Sequence, residues 1–234
     1  MNASDRNLVL VPGLICDQEV WAYPRAPLSD VANIIYAPAD ETDTMQGLAE
    51  AVLDLAPKTF AIAGFSMGGY VALEVLRQAP DRVERIALLD TSSRADTPEK
   101  AAGREAAIAD CEGDRFDDLL DRFVPQLLHP NRHEDPLFGR VRAMGERVGP
   151  DLFADRHRAM QTRSDSRELL QGTNIPVRAI VGRSDALTSV EEHQEIADLA
   201  PRGRLSIVED CGHMPPLERP QAATALLRDW LLHD

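Results

Sequence analysis

Three residues whose side chains could together carry out nucleophilic catalysis occur in the order serine, acid, histidine: Ser66, Asp185 and His213. A serine hydroxyl is a poor nucleophile until a base removes its proton. A neutral imidazole can take that proton and later return it to a leaving group, because it titrates near neutral pH. A carboxylate beside the imidazole fixes its tautomer and stabilises its charged form. The three residues could therefore form a proton relay if the fold brings them together.

Ser66 lies in a glycine-rich stretch, Gly64-Phe65-Ser66-Met67-Gly68-Gly69. The apolar run before it, residues 59–63, predicts a buried strand, and residues 70–77 after it have a helical pattern. Glycines have no Cβ atom, so a strand and a helix can pass each other closely there. The pattern G-x-S-x-G at such a turn is typical of an exposed, reactive serine. The alternative is an ordinary glycine-rich turn whose serine caps the helix.

Asp185 and His213 each follow a predicted strand, over residues 177–181 and 204–208 respectively. Parallel strands end at the same edge of a sheet, and ligands bind outside that edge. We therefore expect both side chains to meet Ser66 there. The order serine, acid, histidine is the one found when the nucleophile occupies a G-x-S-x-G turn.

The identity of the acid has an alternative, because Asp90 also follows a predicted strand, residues 83–89. We favour Asp185, since it lies between a strand and the start of a helix, which suits a rigid loop. Taken singly, Asp185 could be a turn residue and His213 a structural histidine of a loop. The three positions together are more specific than any one of them.

A tetrahedral intermediate formed on Ser66 would need hydrogen-bond donors for its negative oxygen. The backbone N–H of Met67, next to the nucleophile, is the natural first donor. The second donor is expected from the loop after the first strand, where Leu14 follows Gly13. Only the backbone of Leu14 would take part, so an apolar side chain is acceptable there.

The loop after the first strand, residues 12–17, is unusually apolar for a loop in solvent, which predicts that it lines a pocket. We expect substrate contacts from this loop and from the neighbour of Ser66. The candidate residues are Leu14, Ile15, Cys16 and Phe65.

Short apolar strand patterns alternate with helical patterns through most of the chain. The strand patterns cover residues 7–11, 33–37, 59–63, 83–89, 177–181 and 204–208. This alternation predicts right-handed βαβ units. The expected fold class is α/β, with a mostly parallel sheet of about six strands and helices on both faces. From residue 98 to residue 171 only helical stripes occur, so we expect a core of residues 1–97 and 172–234 with a helical cap of residues 98–171 inserted over the crevice.

Composition excludes several classes of function. The net charge of −14 argues against nucleic acid as a partner, and no apolar run is long enough to span a membrane. The absence of HExxH and CxxC pairs predicts no metal site. An N-terminus without a secretory pattern and three widely spaced cysteines predict a cytoplasmic protein. The sequence does not indicate the oligomeric state.

The later half of the predicted cap is rich in arginine. A solvated helix face is the first interpretation, and a docking surface for an anionic substrate or an acidic carrier is the alternative. The arginines are Arg140, Arg142, Arg147, Arg156, Arg158 and Arg163.

The chain resembles the α/β-hydrolase family over nearly its whole length, in particular its small carboxylesterase-type members with a helical cap. The resemblance rests on residues 10–14, residues 64–69, Gly182-Arg183-Ser184-Asp185 and Gly212-His213-Met214-Pro215. It implies Ser66 as nucleophile, Asp185 as acid, His213 as base and an acyl-enzyme intermediate without a cofactor. Many members have His-Gly where this chain has Pro12-Gly13.

The resemblance implies an enzyme that hydrolyses a small-molecule carboxylic ester, which could be anionic or attached to a carrier. Cofactor-free perhydrolases, thioesterases and carbon–carbon bond hydrolases share the scaffold and stay open as alternatives. A receptor that keeps the scaffold without catalysis is a further alternative, from a different class of function.

Overall fold

A computed structural model describes residues 6–37, 42–132 and 136–234 of the chain. Its centre is a six-stranded parallel sheet with strand order β2-β1-β3-β4-β5-β6. The strands are β1 (Asn7–Val11), β2 (Asn33–Tyr36), β3 (Phe60–Phe65), β4 (Val83–Leu89), β5 (Val177–Gly182) and β6 (Gly203–Val208). The predicted α/β class and number of strands are confirmed.

Helices connect the strands, as the alternating pattern predicts. They are α1 (Ala22–Ser29), α2 (Met45–Leu55), α3 (Met67–Gln78), α4 (Pro98–Glu112), α5 (Phe116–Leu127), α6 (Pro136–Gln161), α7 (Arg167–Gly172), α8 (Val190–Leu199), α9 (Pro215–Glu218) and α10 (Pro220–His233). Residues 1–5, in which no secretory signal is predicted, lie outside the described residues. Within the described ranges, no helix is both long enough and apolar enough to cross a bilayer.

Two inner strands, β3 and β5, are buried along their whole length because both of their faces are covered. Such strands are rich in apolar residues, although β5 also buries Arg178. The edge strands β2 and β6 are partly exposed. Strand order reverses between β1 and β3, and the carboxyl ends of strands at such a reversal form the usual ligand crevice of an open sheet.

The helices α4 to α7 follow one another between β4 and β5, with no strand among the described residues of that segment. We call them the inserted helices. Within the set, α4 and α5 both pack on α6, whereas α7 packs on α8. Helix α6 is broken at Gly149, where φ is +75°. Pro150 follows, and a residue before proline is disfavoured in helical geometry, so the break has a local cause.

Candidate active site

Ser66 occupies a sharp turn between β3 and α3 with backbone angles φ 54° and ψ −117°. A non-glycine residue rarely takes a positive φ, so surrounding contacts must hold it. The Ser66 N–H donates to the Leu89 carbonyl at 2.8 Å, and the Thr91 hydroxyl donates to the Ser66 carbonyl at 2.8 Å. A Cβ atom on Gly64 would overlap the backbone of Gly68, so the predicted close passage of strand and helix exists.

Ser66, His213 and Asp185 are linked by hydrogen bonds. Nε2 of His213 lies 2.9 Å from Oγ of Ser66, and Nδ1 of His213 lies 2.8 Å from Oδ2 of Asp185. We call these three residues the relay. The structure thus brings together side chains from the ends of β3, β5 and β6, as expected from strands that share an edge.

Asp185 is fixed by several donors besides His213. Its carboxylate accepts the Leu187 N–H at 2.8 Å, the Thr188 N–H at 3.2 Å and the Thr188 hydroxyl at 2.5 Å. Burial alone would raise the pKa of Asp185, but the charge and hydrogen bond of His213 and the other donors outweigh it and hold the pKa well below its usual range. Asp185 is therefore a permanently charged partner for the imidazole.

Asp90, the competing acid, takes a different position. It is fully buried, and its Oδ1 accepts the Gly182 N–H at 2.9 Å. Burial and the neighbouring Asp185 hold the pKa of Asp90 well above its usual value, which favours the neutral acid. Asp90, Asp185 and His213 offer potential metal-ligand atoms within 4.8 Å of one another. Both ring nitrogens of His213 already have hydrogen-bond partners, Asp185 and Ser66. The hydrogen bonds of the relay therefore explain why these atoms lie close together.

The two backbone amides expected to stabilise a negative oxygen belong to segments that adjoin Ser66. Met67 begins helix α3 directly after Ser66, so its N–H has no acceptor within the helix. The loop after β1, residues 12–17, passes over the turn so closely that a Cβ atom on Gly13 would lie 3.2 Å from Cβ of Ser66. Leu14 follows directly, at the edge of the cavity described next.

A cavity of about 400 Å³ lies between the sheet edge and the inserted helices. Ser66 and His213 form part of its wall, so the relay faces it. The remaining lining residues are Leu14, Tyr70, Lys100, Gly103, Arg104, Phe123, Gln126, His157, Met160, Leu187 and Thr188. The residues from α4, α5 and α6 were not identified from the sequence, because no local pattern indicates how the inserted helices dock.

Of the four residues expected to contact substrate, the structure places Leu14 on the cavity wall and the other three in the packing beneath it. Ile15 lies against Gly145 of α6, Cys16 is fully buried, and the Phe65 ring packs on the His213 ring with centroids 5.4 Å apart. Ile15, Cys16 and Phe65 are therefore absent from the described cavity wall, and their contact with substrate stays a prediction. An apolar loop can cover a core as well as a ligand, and this one seals the sheet under α6.

The six arginines noted in the later half of the predicted cap have partners within the molecule. Four of them meet carboxylates at the surface: Arg140 with Glu19, Arg142 with Asp117, Asp121 and Glu146, Arg147 with Asp17 and Glu19, and Arg158 with Glu112 and Asp155.

The other two arginines, Arg156 and Arg163, are buried. Arg163 lies 2.6 Å from Asp96 and stacks over the Tyr70 ring. Arg156 donates through Nη1 to the carbonyl of Leu14 at 2.6 Å and of Cys16 at 3.1 Å. The interpretation as a solvated face therefore fits the first four and is wrong for these two.

Comparison with known proteins agrees with this geometry. The family model described as "Alpha/beta hydrolase family" matches residues 8–226. The chain belongs to the alpha/beta hydrolase family. Among curated relatives, a pimeloyl-[acyl-carrier protein] methyl ester esterase of Aromatoleum aromaticum is 31% identical, covering 80% of this chain and 79% of that protein. The Nitrosomonas europaea protein of the same name is 27% identical, covering 76% and 74%.

The fold also superposes on those of solved structures. A thermophilic esterase from Thermogutta terrifontis, determined with malate bound, superposes with a TM-score of 0.89 at 26% identity, covering 98% of this chain and 90% of that one. An enol-lactonase from Burkholderia xenovorans at 23% identity and a TM-score of 0.85 shares the fold. The chain is a serine hydrolase of the carboxylesterase type.

Proposed function

We propose that this protein hydrolyses esters through an acyl-enzyme formed on Ser66. His213 takes the Ser66 proton as the hydroxyl attacks the ester carbonyl, and it then returns the proton to the departing alcohol. Water, deprotonated by the same imidazole, then attacks the acyl carbonyl; the bond to Oγ of Ser66 breaks, the acid is released, and the imidazole returns the proton to Ser66. The N–H groups of Met67 and Leu14 stabilise the negative oxygen of both tetrahedral intermediates. Asp185 holds the tautomer of His213 and stabilises its charged form.

The observation that carries this proposal is the pair of hydrogen bonds that join Ser66 to His213 and His213 to Asp185, at 2.9 and 2.8 Å. The nucleophile and its base are already within reach of proton transfer. Ser66 and His213 both lie on the wall of the cavity.

We further propose that the inserted helices are a cap, with residues 98–171 as the lid and residues 1–97 and 172–234 as the catalytic core. The support is the make-up of the cavity wall, to which α4, α5 and α6 contribute Lys100, Phe123 and His157, among others. A cavity roofed in this way limits the water around the reacting ester. The acyl group of the ester would lie under the cap.

The Ser66→Ala variant tests the chemistry. We expect hydrolysis of short p-nitrophenyl esters to fall by at least about 10⁴-fold while the thermal unfolding midpoint is retained. A fluorophosphonate should label Ser66 of the wild-type protein. It should not label the unactivated serine of a receptor that only binds its ligand. Turnover retained in Ser66→Ala, or unlabelled Ser66, would refute the proposal.

For the substrate, we propose a small ester whose acyl chain carries a carboxylate. Lys100 and Arg104 are cationic residues of the cavity wall, and Nζ of Lys100 lies 3.6 Å from a carboxylate oxygen of Glu192. Arg104 binds Asp96, but Asp96 also faces Arg163, so two guanidinium groups share one carboxylate and a positive charge is left over. An acyl chain ending in a carboxylate would balance that charge.

Matched esters test this substrate class. We expect the half-ester of a dicarboxylic acid to be cleaved with a higher kcat/KM than the neutral diester of the same chain length. Lys100→Gln should lower this preference by about fivefold, the value of an ion pair of about 1 kcal/mol. Lys58→Gln, at an exposed position before β3, is the control. Equal rates for both esters would contradict the proposal.

A carrier-bound ester is the second candidate, supported by the names of the curated relatives. In this chain the exposed arginines of α6 that could meet an acidic carrier are already paired with carboxylates. To distinguish a free ester from a carrier-bound ester as the substrate, kcat/KM is measured for the same acyl ester in free form and attached to an acyl-carrier protein. A higher kcat/KM for the carrier-bound form, reduced in Arg142→Gln and Arg158→Gln, would select the carrier.

We also propose a cytoplasmic location, supported by three free, buried cysteines, Cys16, Cys111 and Cys211. Fractionation of producing cells, followed by immunodetection, tests it. Recovery outside the cytoplasmic fraction would contradict it.

A further inference from the structure

Glu218, at the end of the short helix α9, is a buried acid that contacts two separate parts of the chain. Its side chain is inaccessible to solvent. One carboxyl oxygen faces the loop that carries His213, and the other faces the segment after α5 of the inserted helices. A buried carboxylate is stable only when such donors surround it.

The first oxygen holds the peptide groups on both sides of the relay histidine. Oε1 of Glu218 accepts the Gly212 N–H at 2.9 Å and the Met214 N–H at 3.1 Å. The N–H of His213 itself donates to the carbonyl of Leu127, the last residue of α5, at 2.9 Å. The backbone around the imidazole is thus fixed at three consecutive residues.

The second oxygen reaches the inserted helices. Oε2 of Glu218 accepts the His129 N–H at 2.8 Å, and Nε of Arg132 lies 3.6 Å away. The two segments touch directly, because a Cβ atom on Gly212 would lie 2.5 Å from the His129 nitrogen. Glycine at position 212 therefore permits the contact that Glu218 bridges.

We propose that Glu218 is a positioning residue that joins the His213 loop to the inserted helices, so that the imidazole and the roof of the cavity keep one arrangement. This rests on the proposed function of His213. Catalytic groups must be held within about 0.5 Å of productive geometry, and the contacts of Glu218 act on the backbone from which the imidazole projects. The role was not visible in the sequence, where Glu218 follows two prolines without a catalytic pattern.

The Glu218→Gln variant tests the proposal because it keeps the shape and replaces one acceptor oxygen by an NH₂ group, which cannot accept from a backbone N–H. We expect kcat and the rate of fluorophosphonate labelling of Ser66 to fall by about ten- to a hundredfold. KM should stay within about twofold, since Glu218 is absent from the described cavity wall. The downfield proton resonance of the His213 Nδ1–H, shared with Asp185, should shift or broaden.

Glu74→Gln is the matched control. Glu74 is also a buried acid, and its oxygens accept from Arg77 and Gln78 on its own helix α3. We expect Glu74→Gln to leave the labelling rate and the proton resonance within experimental error of the wild type, even where it lowers thermal stability. Such a contrast separates positioning of the imidazole from a general loss of stability.

If Glu218→Gln does not accumulate as folded protein, Glu218→Asp carries the test, since it keeps both oxygens but withdraws them by one methylene. The same drop in labelling with an unchanged KM is expected. Wild-type labelling rates and resonance in either folded variant would overturn the proposal. Failure of the proposed function would look different, because Ser66 would then be unlabelled in the wild-type protein.

Discussion

The loops at the carboxyl edge of the sheet and the inserted helices above them are held by different kinds of polar contact. At the sheet edge, buried side chains bind the backbone groups of the loops, as Asp185 and Glu218 do. On the outside of the inserted helices, arginines pair with carboxylates in solvent, as Arg142 and Arg158 do. The buried contacts fix the positions of the backbone atoms that they bind. The exposed ion pairs stabilise the fold by only about 0–1 kcal/mol each. The backbone around the relay is therefore held more firmly than the outer surface of the inserted helices.

The largest expected effect contrasts the two acids of the sheet edge. Asp185→Asn should lower kcat by about 10³–10⁴-fold, because an amide cannot stabilise the charged imidazole and favours the wrong tautomer. Asp90→Asn should change kcat by less than about threefold, since an amide resembles the neutral acid that burial favours there. Steady-state hydrolysis of a p-nitrophenyl ester checks both. A large loss in Asp90→Asn would assign the second acid a direct part in the relay.

The next comparison uses two arginines that lie two positions apart on α6. Arg156→Met should lower the free energy of unfolding by about 2–4 kcal/mol, because it leaves buried carbonyls of the loop after β1 without a donor. It should also lower kcat by about 10–100-fold, because the Leu14 amide then loses its support. Urea unfolding and steady-state kinetics measure the two effects.

Arg158→Met is the control for Arg156→Met, since Arg158 is partly exposed and pairs with Glu112 and Asp155. We expect it to change the free energy of unfolding by less than about 1 kcal/mol and to leave kcat unchanged. Similar losses in both variants would remove the distinction between the two kinds of contact.

A smaller effect follows from His157, a buried residue of the cavity wall. Burial, with the nearby positive charge of Arg104, lowers the pKa of His157 to about 3. The unfolded chain, with a histidine pKa of about 6.5, binds a proton that the folded chain excludes. Above about pH 6.5, His157 therefore does not lower the free energy of unfolding. As pH falls from 6.5 toward 3, protonation of His157 in the unfolded chain lowers that free energy progressively.

Between pH 7 and pH 5 this linkage amounts to about 2 kcal/mol. The wild-type free energy of unfolding, measured in urea, should fall by that much more than the value for His157→Gln. Contributions that are common to the two proteins cancel in the difference. Parallel pH dependences for the two proteins would show that His157 is protonated without cost.

Much of the relay follows from sequence, because each of its residues comes soon after a strand. Ser66, Asp185 and His213 lie at the ends of β3, β5 and β6, so the alternation of strands and helices was sufficient to place them at one edge. The strand bounds differ from the predicted ones by a residue or two, which does not move the edge.

The contacts of the inserted helices did not follow from sequence. Arg156 meets the carbonyl of Leu14 across 142 positions, and Glu218 meets His129 across 89. Such pairs depend on how helices dock, and an arginine on a polar helix reads the same whether it is buried or solvated. The burial of Ile15, Cys16 and Phe65 away from the cavity wall has the same cause, since an apolar residue does not indicate what will cover it.

Helix α6 consists of two parts that meet at the break at Gly149. The α6 residues that line the cavity, His157 and Met160, lie after the break. Both parts of the helix carry surface arginines, Arg142 before the break and Arg158 after it. Pro150 supplies no backbone N–H, so the helical ladder is interrupted between the halves. Changes to the α6 part of the cavity wall therefore fall after the break, in the part of the helix that also holds the loop after β1 through Arg156.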